Sequence, residues 1–168
     1  MTCAQTAHRI PKSIQLDEVQ KTRPIISQEV TLNEKQIKLR EELESNLPHF
    51  TGSEEYHRLR YPWLRQDFLL TDGAKYLADK AGVIGGTAYW LIDIIASYQR
   101  EKPVKDESFQ VWKLTVKESV GKVTCEDGNG RSLASQDIPY ADFALDEVTL
   151  YVTNDDYNGI VVMLPSEY

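Results

Sequence analysis

This sequence has only two cysteines and no long apolar run, and both scarcities limit what the protein can be. Cys3 and Cys125 form neither a CxxC unit nor a disulfide framework, which fits a reducing compartment. No apolar run is longer than 88–92, which stops at Asp93 and falls far short of the roughly 20 residues that cross a bilayer. Residues 1–9 lack the apolar core of a secretory signal. We therefore expect a cytoplasmic protein without a membrane partner.

An excess of basic residues is also missing. The formal net charge is −7, and residues 101–168 carry all of it, with 13 acidic and 6 basic side chains. An acidic strand-forming half should repel nucleic-acid phosphates, which makes nucleic acid an unfavoured partner without excluding it. The same half could suit a basic protein. Acidity that only maintains solubility is the simpler explanation.

Helical and strand patterns occupy different parts of the chain. Two helical patterns fill 71–100, whereas an alternation with period two begins after Pro103. The run Asp-Gly-Asn-Gly at 127–130 indicates a hairpin, because a primed turn needs positive φ at its centre. Helices grouped before strands predict an α+β fold, in which an antiparallel sheet of four to five strands carries two to three helices mainly on one face. The predicted strands are 109–117, 120–126, 131–136, 147–153 and 159–164.

The two central helices meet at a glycine-rich joint. The first begins at Thr71 or Asp72, and Gly82 is predicted to end it in a left-handed conformation. The second runs over 87–99 with one broad apolar face. Amide donors in the joint could hold an anion, although a plain turn between helices is the simpler explanation. Upstream, 56–61 could form an edge strand.

The domain proper is predicted to span 31–168. Thr31 and Glu34 form a capping box, and the helix that they begin ends before Pro48. Its apolar stripe is narrow, so it should lie on a surface, either of its own sheet or of another chain. Residues 1–30 show no persistent period and are expected to be a flexible or loosely docked arm.

No catalytic or metal-binding constellation in the sequence rises above chance. Asp93 stands alone in an apolar helix, where a buried carboxylate could act as an acid or a base. An enzyme would place its site where Asp93, Tyr89 and the sheet converge, but an exposed structural carboxylate is the simpler interpretation. The segment 154–159 resembles the start of a calcium loop, yet Pro165 stands where the bidentate glutamate is required. We therefore expect no metal and no cofactor.

The stretch 56–68 interleaves aromatic and basic side chains, which makes it the best candidate for a single-stranded nucleic-acid site. Arginines there could neutralise phosphates while rings stack on bases. The candidate binding residues are Arg58, Arg60, Trp63 and Arg65. Core aromatic rings with arginine stems lying along them explain the same pattern more simply.

Several short segments look familiar as a set. They are TDG and YL within 71–77, YWLID and SYQ within 89–99, FQVWKL at 109–114, LYV at 150–152 and MLPSEY at 163–168. Together they resemble a family of small bacterial proteins known only as a domain of unknown function, over roughly residues 50–168. The resemblance implies a bacterial origin, including phage or plasmid cargo, and it carries no activity, cofactor or catalytic residue.

We expect an accessory protein that binds another protein, through its acidic strand-forming half or its amphipathic arm, and that is not an enzyme. The charge asymmetry and the lack of a catalytic constellation support this expectation. Two alternatives stay open: a small enzyme with a site near Asp93, and a single-stranded nucleic-acid binder that uses 56–68. The sequence does not fix the oligomeric state.

Overall fold

The described part of the chain forms three helices and one seven-stranded sheet. A computed structural model describes residues 33–155 and 159–168, and Lys35–Tyr168 is a compact unit. The predicted arm, 1–30, and the predicted capping residue Thr31 lie outside the described residues. The helices are α1 (33–46), α2 (Asp72–Lys80) and α3 (Tyr89–Tyr98). The strands are β1 (His57–Leu59), β2 (Phe68–Leu70), β3 (Phe109–Lys117), β4 (Val120–Glu126), β5 (Ser132–Ile138), β6 (Glu147–Asp155) and β7 (Gly159–Met163).

The sheet has the strand order β1-β2-β7-β6-β3-β4-β5. β2 and β7 run parallel, with Phe68 opposite Ile160, and the other neighbouring strands are antiparallel. The predicted α+β class is confirmed, whereas the prediction of a purely antiparallel sheet of four to five strands is wrong. β1 lies within the predicted edge strand 56–61 and stands at the edge of the sheet, whereas β2 escapes prediction because its three residues are too short to show a period of two.

Alternation along β3 separates a buried face of the sheet from an exposed one. Trp112 and Leu114 are each 2% exposed, whereas the adjacent Lys113 and Thr115 point to the solvent side. Leu150 of β6 lies directly opposite Trp112 and is buried with it. One face of the sheet therefore supplies the floor of the hydrophobic core.

The turn that follows β4 is the predicted hairpin. Gly128 has a φ of 79°, a conformation that glycine adopts without steric cost. Asp127 begins the turn, and its carboxylate accepts hydrogen bonds from the N–H groups of Asn129 at 2.8 Å and Arg131 at 3.0 Å. These two bonds lower the pKa of Asp127 below its usual value.

The helices cover the buried face of the sheet. Ile92 and Ile95 of α3 are at most 1% exposed, and burying a side chain of this kind contributes about 1.5–3 kcal/mol. Leu43 of α1 is fully buried, and Arg40 of the same helix pairs with Asp146 at 2.6 Å. Helix α1 thus packs against the domain of its own chain. In the ranges that the structure describes, no helix is both long and apolar enough to span a bilayer.

Helix α2 ends differently from the sequence prediction. Ala81 is its C-cap, and the Ala81 N–H donates to the carbonyl of Leu77. Gly82 does not have a positive φ, so the predicted left-handed stop at this residue is wrong; Gly86, with a φ of 77°, is the left-handed glycine of the joint. Gly82 is required for a different reason: a Cβ there would lie 2.6 Å from the backbone nitrogen of Thr87.

Candidate functional site

A cleft of about 890 Å³ opens at one end of the sheet, where β3 begins and β6 ends. Its walls come from the β1–β2 connection, the end of α3, the turn before β3 and the last residues of β6. We call it the Trp63 cleft. Its volume lies within the roughly 300–1,000 Å³ of ordinary ligand pockets. The lining residues that matter below are Trp63, Arg65, Gln99, Arg100, Lys105 and Asn154.

The indole ring of Trp63 is held in place at the mouth of the cleft. It is 44% exposed, and the ring of Tyr61 packs beside it with the two centroids 5.1 Å apart. Tyr61 in turn lies edge-on against the buried Phe68, and its hydroxyl donates to Asp93 at 2.7 Å. Burial, followed by the contact with Asp93, raises the pKa of Tyr61 well above its usual value. The tyrosine therefore stays neutral and braces the indole.

Three basic side chains line the cleft. Within the ranges described, the side chains of Arg65, Arg100 and Lys105 form no ion pair and no hydrogen bond, and all three are exposed. The two acidic residues of the cleft are engaged elsewhere, since Asp106 pairs with Lys102 and Glu107 pairs with Arg131. The cleft therefore offers positive charge to an incoming group, although the chain as a whole is acidic.

A buried amide network fixes the wall of the cleft. Gln99 and Gln110 exchange two side-chain hydrogen bonds, of 2.9 and 3.1 Å, and Gln110 is completely buried. The Gln110 side-chain amide also donates to the backbone carbonyl of Val104 at 3.0 Å. The Trp112 indole N–H in turn donates to the side-chain oxygen of Gln110 at 2.9 Å. Because buried amides are costly to leave unpaired, this network holds the end of α3, the following turn and β3 in one arrangement.

The structure brings together only part of the predicted basic-aromatic site. Trp63 and Arg65 line the cleft. Arg58 instead pairs with Asp67 at 2.9 Å on the edge of the sheet. Arg60 is exposed and lies outside the cleft lining. Two of the four residues predicted in 56–68 therefore belong to the candidate site.

The other two predicted site residues contact different partners. Asp93 is exposed and accepts the Tyr61 hydroxyl, which matches the structural interpretation of this carboxylate. Tyr89 donates its hydroxyl to Asp79 at 2.8 Å. Burial, followed by the contact with Asp79, raises the pKa of Tyr89 to about 12. Asp93 and Tyr89 thus hold structural contacts of their own.

Arg100 and Lys105 are the functional candidates that sequence analysis missed. They lie about 35–40 residues from Arg65 in the chain, and only the packing of α3 beside the β1–β2 connection brings them to one cleft. The spacing of charged residues did distinguish Arg100 in the sequence. Lys102 has an acidic partner four residues later, whereas Arg100 has none at helical spacing on either side.

The glycine-rich joint does hold a negative group, but that group belongs to the chain itself. The carboxylate of Asp142 accepts hydrogen bonds from the backbone N–H groups of Val83 at 3.0 Å, Ile84 at 3.0 Å and Gly85 at 2.9 Å. The anion that could have been a ligand is therefore a structural side chain. The turn between helices is the correct account of this segment.

Much of the acidity of residues 101–168 is also used internally. Seven of its thirteen carboxylates bind a basic side chain or backbone N–H groups. They are Asp106, Glu107, Asp127, Asp142, Asp146, Glu147 and Glu167.

A second depression, of about 530 Å³, lies beside the start of α2. Two of its acidic side chains already have partners: Asp72 contacts His57 at 2.8 Å, and Asp79 contacts Lys75. The hydrogen bond from His57 is the largest cause of a lowered pKa at Asp72. Among the residues that the structure describes, no group of three or more His, Cys, Asp or Glu side chains is placed to hold a metal. The Trp63 cleft is the stronger candidate.

Cys125 should be chemically inert in the folded protein. It is 1% exposed on β4, and burial, followed by the nearby Glu126 and Glu107, raises the pKa of its thiol to about 12. Since the thiolate is the reactive form, a Cys3→Ser variant should react with a thiol reagent at about pH 8 at least a hundredfold more slowly when folded than when denatured. Equal rates in the two states would contradict this placement.

The comparison with protein families decides where this chain belongs. The model of a family of unknown function, DUF6876, matches residues 41–168, which include the whole Trp63 cleft. The chain belongs to the DUF6876 family. The predicted resemblance to a family of unknown function is therefore confirmed. All cleft residues of this DUF6876 member lie inside the family segment, whereas the predicted arm lies outside it.

One solved structure is similar to this DUF6876 chain. It is the crystal structure of a protein of unknown function from Enterococcus faecalis, with 15% sequence identity and a TM-score of 0.44. The similarity covers 66% of this chain and 98% of that chain. No curated protein matches the sequence.

Proposed function

We propose that this DUF6876 protein is an accessory protein that binds another protein through the Trp63 cleft, and that it has no catalytic role. One observation carries the proposal: an exposed tryptophan stands beside three cations without partners in the described ranges. Tryptophan and arginine are the residues that most often dominate binding energy at protein interfaces. A rigid ring also loses little conformational freedom when a partner covers it.

The arrangement of the carboxylates supports binding over catalysis. Asp93, Asp142 and Glu167 contact a tyrosine hydroxyl or backbone N–H groups of their own chain. An acid or base needs a free position from which a substrate proton can be reached. Each of these carboxylates instead has a contact that holds part of the fold together.

The proposal moves the binding surface away from the acidic strand-forming half. Seven of the thirteen carboxylates there are engaged within the chain, whereas the Trp63 cleft combines an aromatic ring and positive charge in one place. The proposal includes a cytoplasmic location in a bacterium, which two isolated cysteines suit.

A comparison of a triple variant in the cleft with a double control variant outside it tests the proposal. Tagged wild-type protein, a Trp63→Ser/Arg65→Ser/Arg100→Ser variant and a Lys117→Ser/Lys122→Ser variant would each be used to recover partners from the native host. Both lysines are exposed on β3 and β4, away from the cleft lining. We expect a partner that the control variant retains and the cleft variant loses. Identical recovery by both variants, or turnover of a small molecule by the purified protein, would overturn the proposal.

A further inference from the structure

We infer that the segment held by the Trp63 cleft is short and acidic: a stretch of a partner protein with two or three carboxylates next to an apolar or aromatic side chain. This inference rests on the proposed function, because it names the chemistry of the partner at the same site. It follows from the charge, the ring and the size of the cleft.

Charge complementarity is the first argument. Arg65, Arg100 and Lys105 meet at the cleft with no partners in the part of the chain that the structure describes. Arginine binds a carboxylate through two parallel N–H···O bonds, so two arginines provide geometric as well as electrostatic selectivity. The neighbouring acids Asp106 and Glu107 already have cations of their own and do not cancel this charge.

The ring is the second argument. Trp63 is braced by Tyr61, whose hydroxyl is fixed by Asp93, so the exposed face of the indole is presented in one orientation. An apolar or aromatic side chain that covers this face gains burial without reordering the site. The side-chain amide of Asn154 donates to the backbone carbonyl of Lys105 at 3.3 Å, and this bond connects the end of β6 to the turn before β3 in the cleft wall.

Size and net charge distinguish a short segment from a long polyanion. A cleft of about 890 Å³ accommodates a few residues, not an extended strand. A nucleic acid would place phosphates beyond the three cations, where it meets a chain with a net charge of −7. Such repulsion grows with the charge of the ligand, so a segment with two or three carboxylates is favoured over an oligonucleotide.

Fluorescence anisotropy tests the inference with defined probes. The first is a fluorescein-labelled octapeptide with three glutamates around one phenylalanine; the second has glutamine in place of every glutamate; the third is a labelled oligo(dT) ten-mer. We expect saturable binding of the acidic peptide, at least about tenfold weaker binding of the glutamine peptide, and weaker binding of the oligonucleotide. Acrylamide should quench tryptophan emission less when the acidic peptide is bound, because Trp63 becomes covered.

The same variants provide the controls. Trp63→Ser/Arg65→Ser/Arg100→Ser should weaken acidic-peptide binding at least about tenfold, while Lys117→Ser/Lys122→Ser should leave it within about twofold. Equal affinity for the acidic and glutamine peptides, or tighter cleft-dependent binding of oligo(dT), would overturn the inference. If the peptide fails but the cleft variant still loses its host partner, the proposed function stands and only the acidic chemistry is wrong. If the cleft and control variants recover the same partners, the proposed function itself fails.

Discussion

Replacing Gly82 by alanine should destabilise the protein by about 3 kcal/mol. The added Cβ would lie 2.6 Å from the backbone nitrogen of Thr87 and 2.8 Å from its carbonyl carbon. Neither segment can move away freely. The N–H of Ala88 donates to the carbonyl of Ala78 at 2.7 Å, and the N–H of Ala144 donates to that of Ala81 at 2.9 Å. The clash is therefore with backbone that is held on both sides.

Gly85→Ala is the matched control for this prediction. It lies in the same joint, is exposed, and its added Cβ would come no closer than 3.5 Å to Asp142. We expect its free energy of unfolding, from urea titration, to stay within about 0.5 kcal/mol of the wild type. Similar losses for Gly82→Ala and Gly85→Ala would show that the close approach of Thr87 is not what requires the glycine.

Replacing Glu167 by alanine should cost about 3 kcal/mol of stability. Its carboxylate accepts hydrogen bonds from the Thr71 hydroxyl at 2.6 Å, the Gly73 N–H at 2.9 Å and the Leu164 N–H at 3.0 Å. Two of these donors lie at the start of α2, where a negative charge also interacts favourably with the helix dipole. Its loss leaves part-buried donors unpaired, which is more costly than the bonds alone suggest.

Two variants separate the charge of Glu167 from its shape. Glu167→Gln keeps one acceptor oxygen and should lose about half as much stability as Glu167→Ala, whereas Ser166→Ala, in the same exposed turn, should stay within about 0.5 kcal/mol of the wild type. Thermal and urea unfolding would measure all three. If Glu167→Ala unfolds like the wild type, this carboxylate does not hold the chain end to α2 and is available for another role.

The motif at the C-terminus shows how far sequence analysis could reach. The run 163–168 is one of the segments that together resemble a family of unknown function, and membership of such a family is confirmed. The role of Glu167 could not be predicted, because two of its three hydrogen-bond partners lie more than 90 residues earlier, at the start of α2. The role of Asp142 could not be predicted either, because its carboxylate accepts hydrogen bonds from backbone N–H groups of the glycine-rich joint, which is distant in sequence. Local patterns identify elements, whereas long-range hydrogen bonds become visible only in the fold.

Element type followed from periodicity wherever an element was long. β3, β4, β6 and α3 lie within one or two residues of their predicted ranges, because their alternation or helical spacing persists over several residues. β1 falls within the predicted edge strand 56–61, but β2 is too short to show a period, and without β2 its parallel pairing with β7 could not be expected.

Only part of the candidate site could be predicted from the sequence, for a related reason. Trp63 and Arg65 stood in a conspicuous local pattern, whereas Arg100 and Lys105 reach the cleft through tertiary packing alone. Arg58, which belongs to the same local pattern, is used in an ion pair with Asp67. Residues that are neighbours in sequence can therefore have different roles: one forms an ion pair within the fold, while another lines the cleft.

Hydrogen exchange of the protein with and without a saturating acidic peptide tests the central claim most directly. The account predicts slower exchange in 61–66 and 99–108, the segments that line the Trp63 cleft, and unchanged exchange in the β3–β4 hairpin at 113–124. Protection confined to the hairpin or to the second depression, around 49–54 and 72–79, would mean that Trp63 and the basic side chains of the cleft are not where this protein makes its contacts.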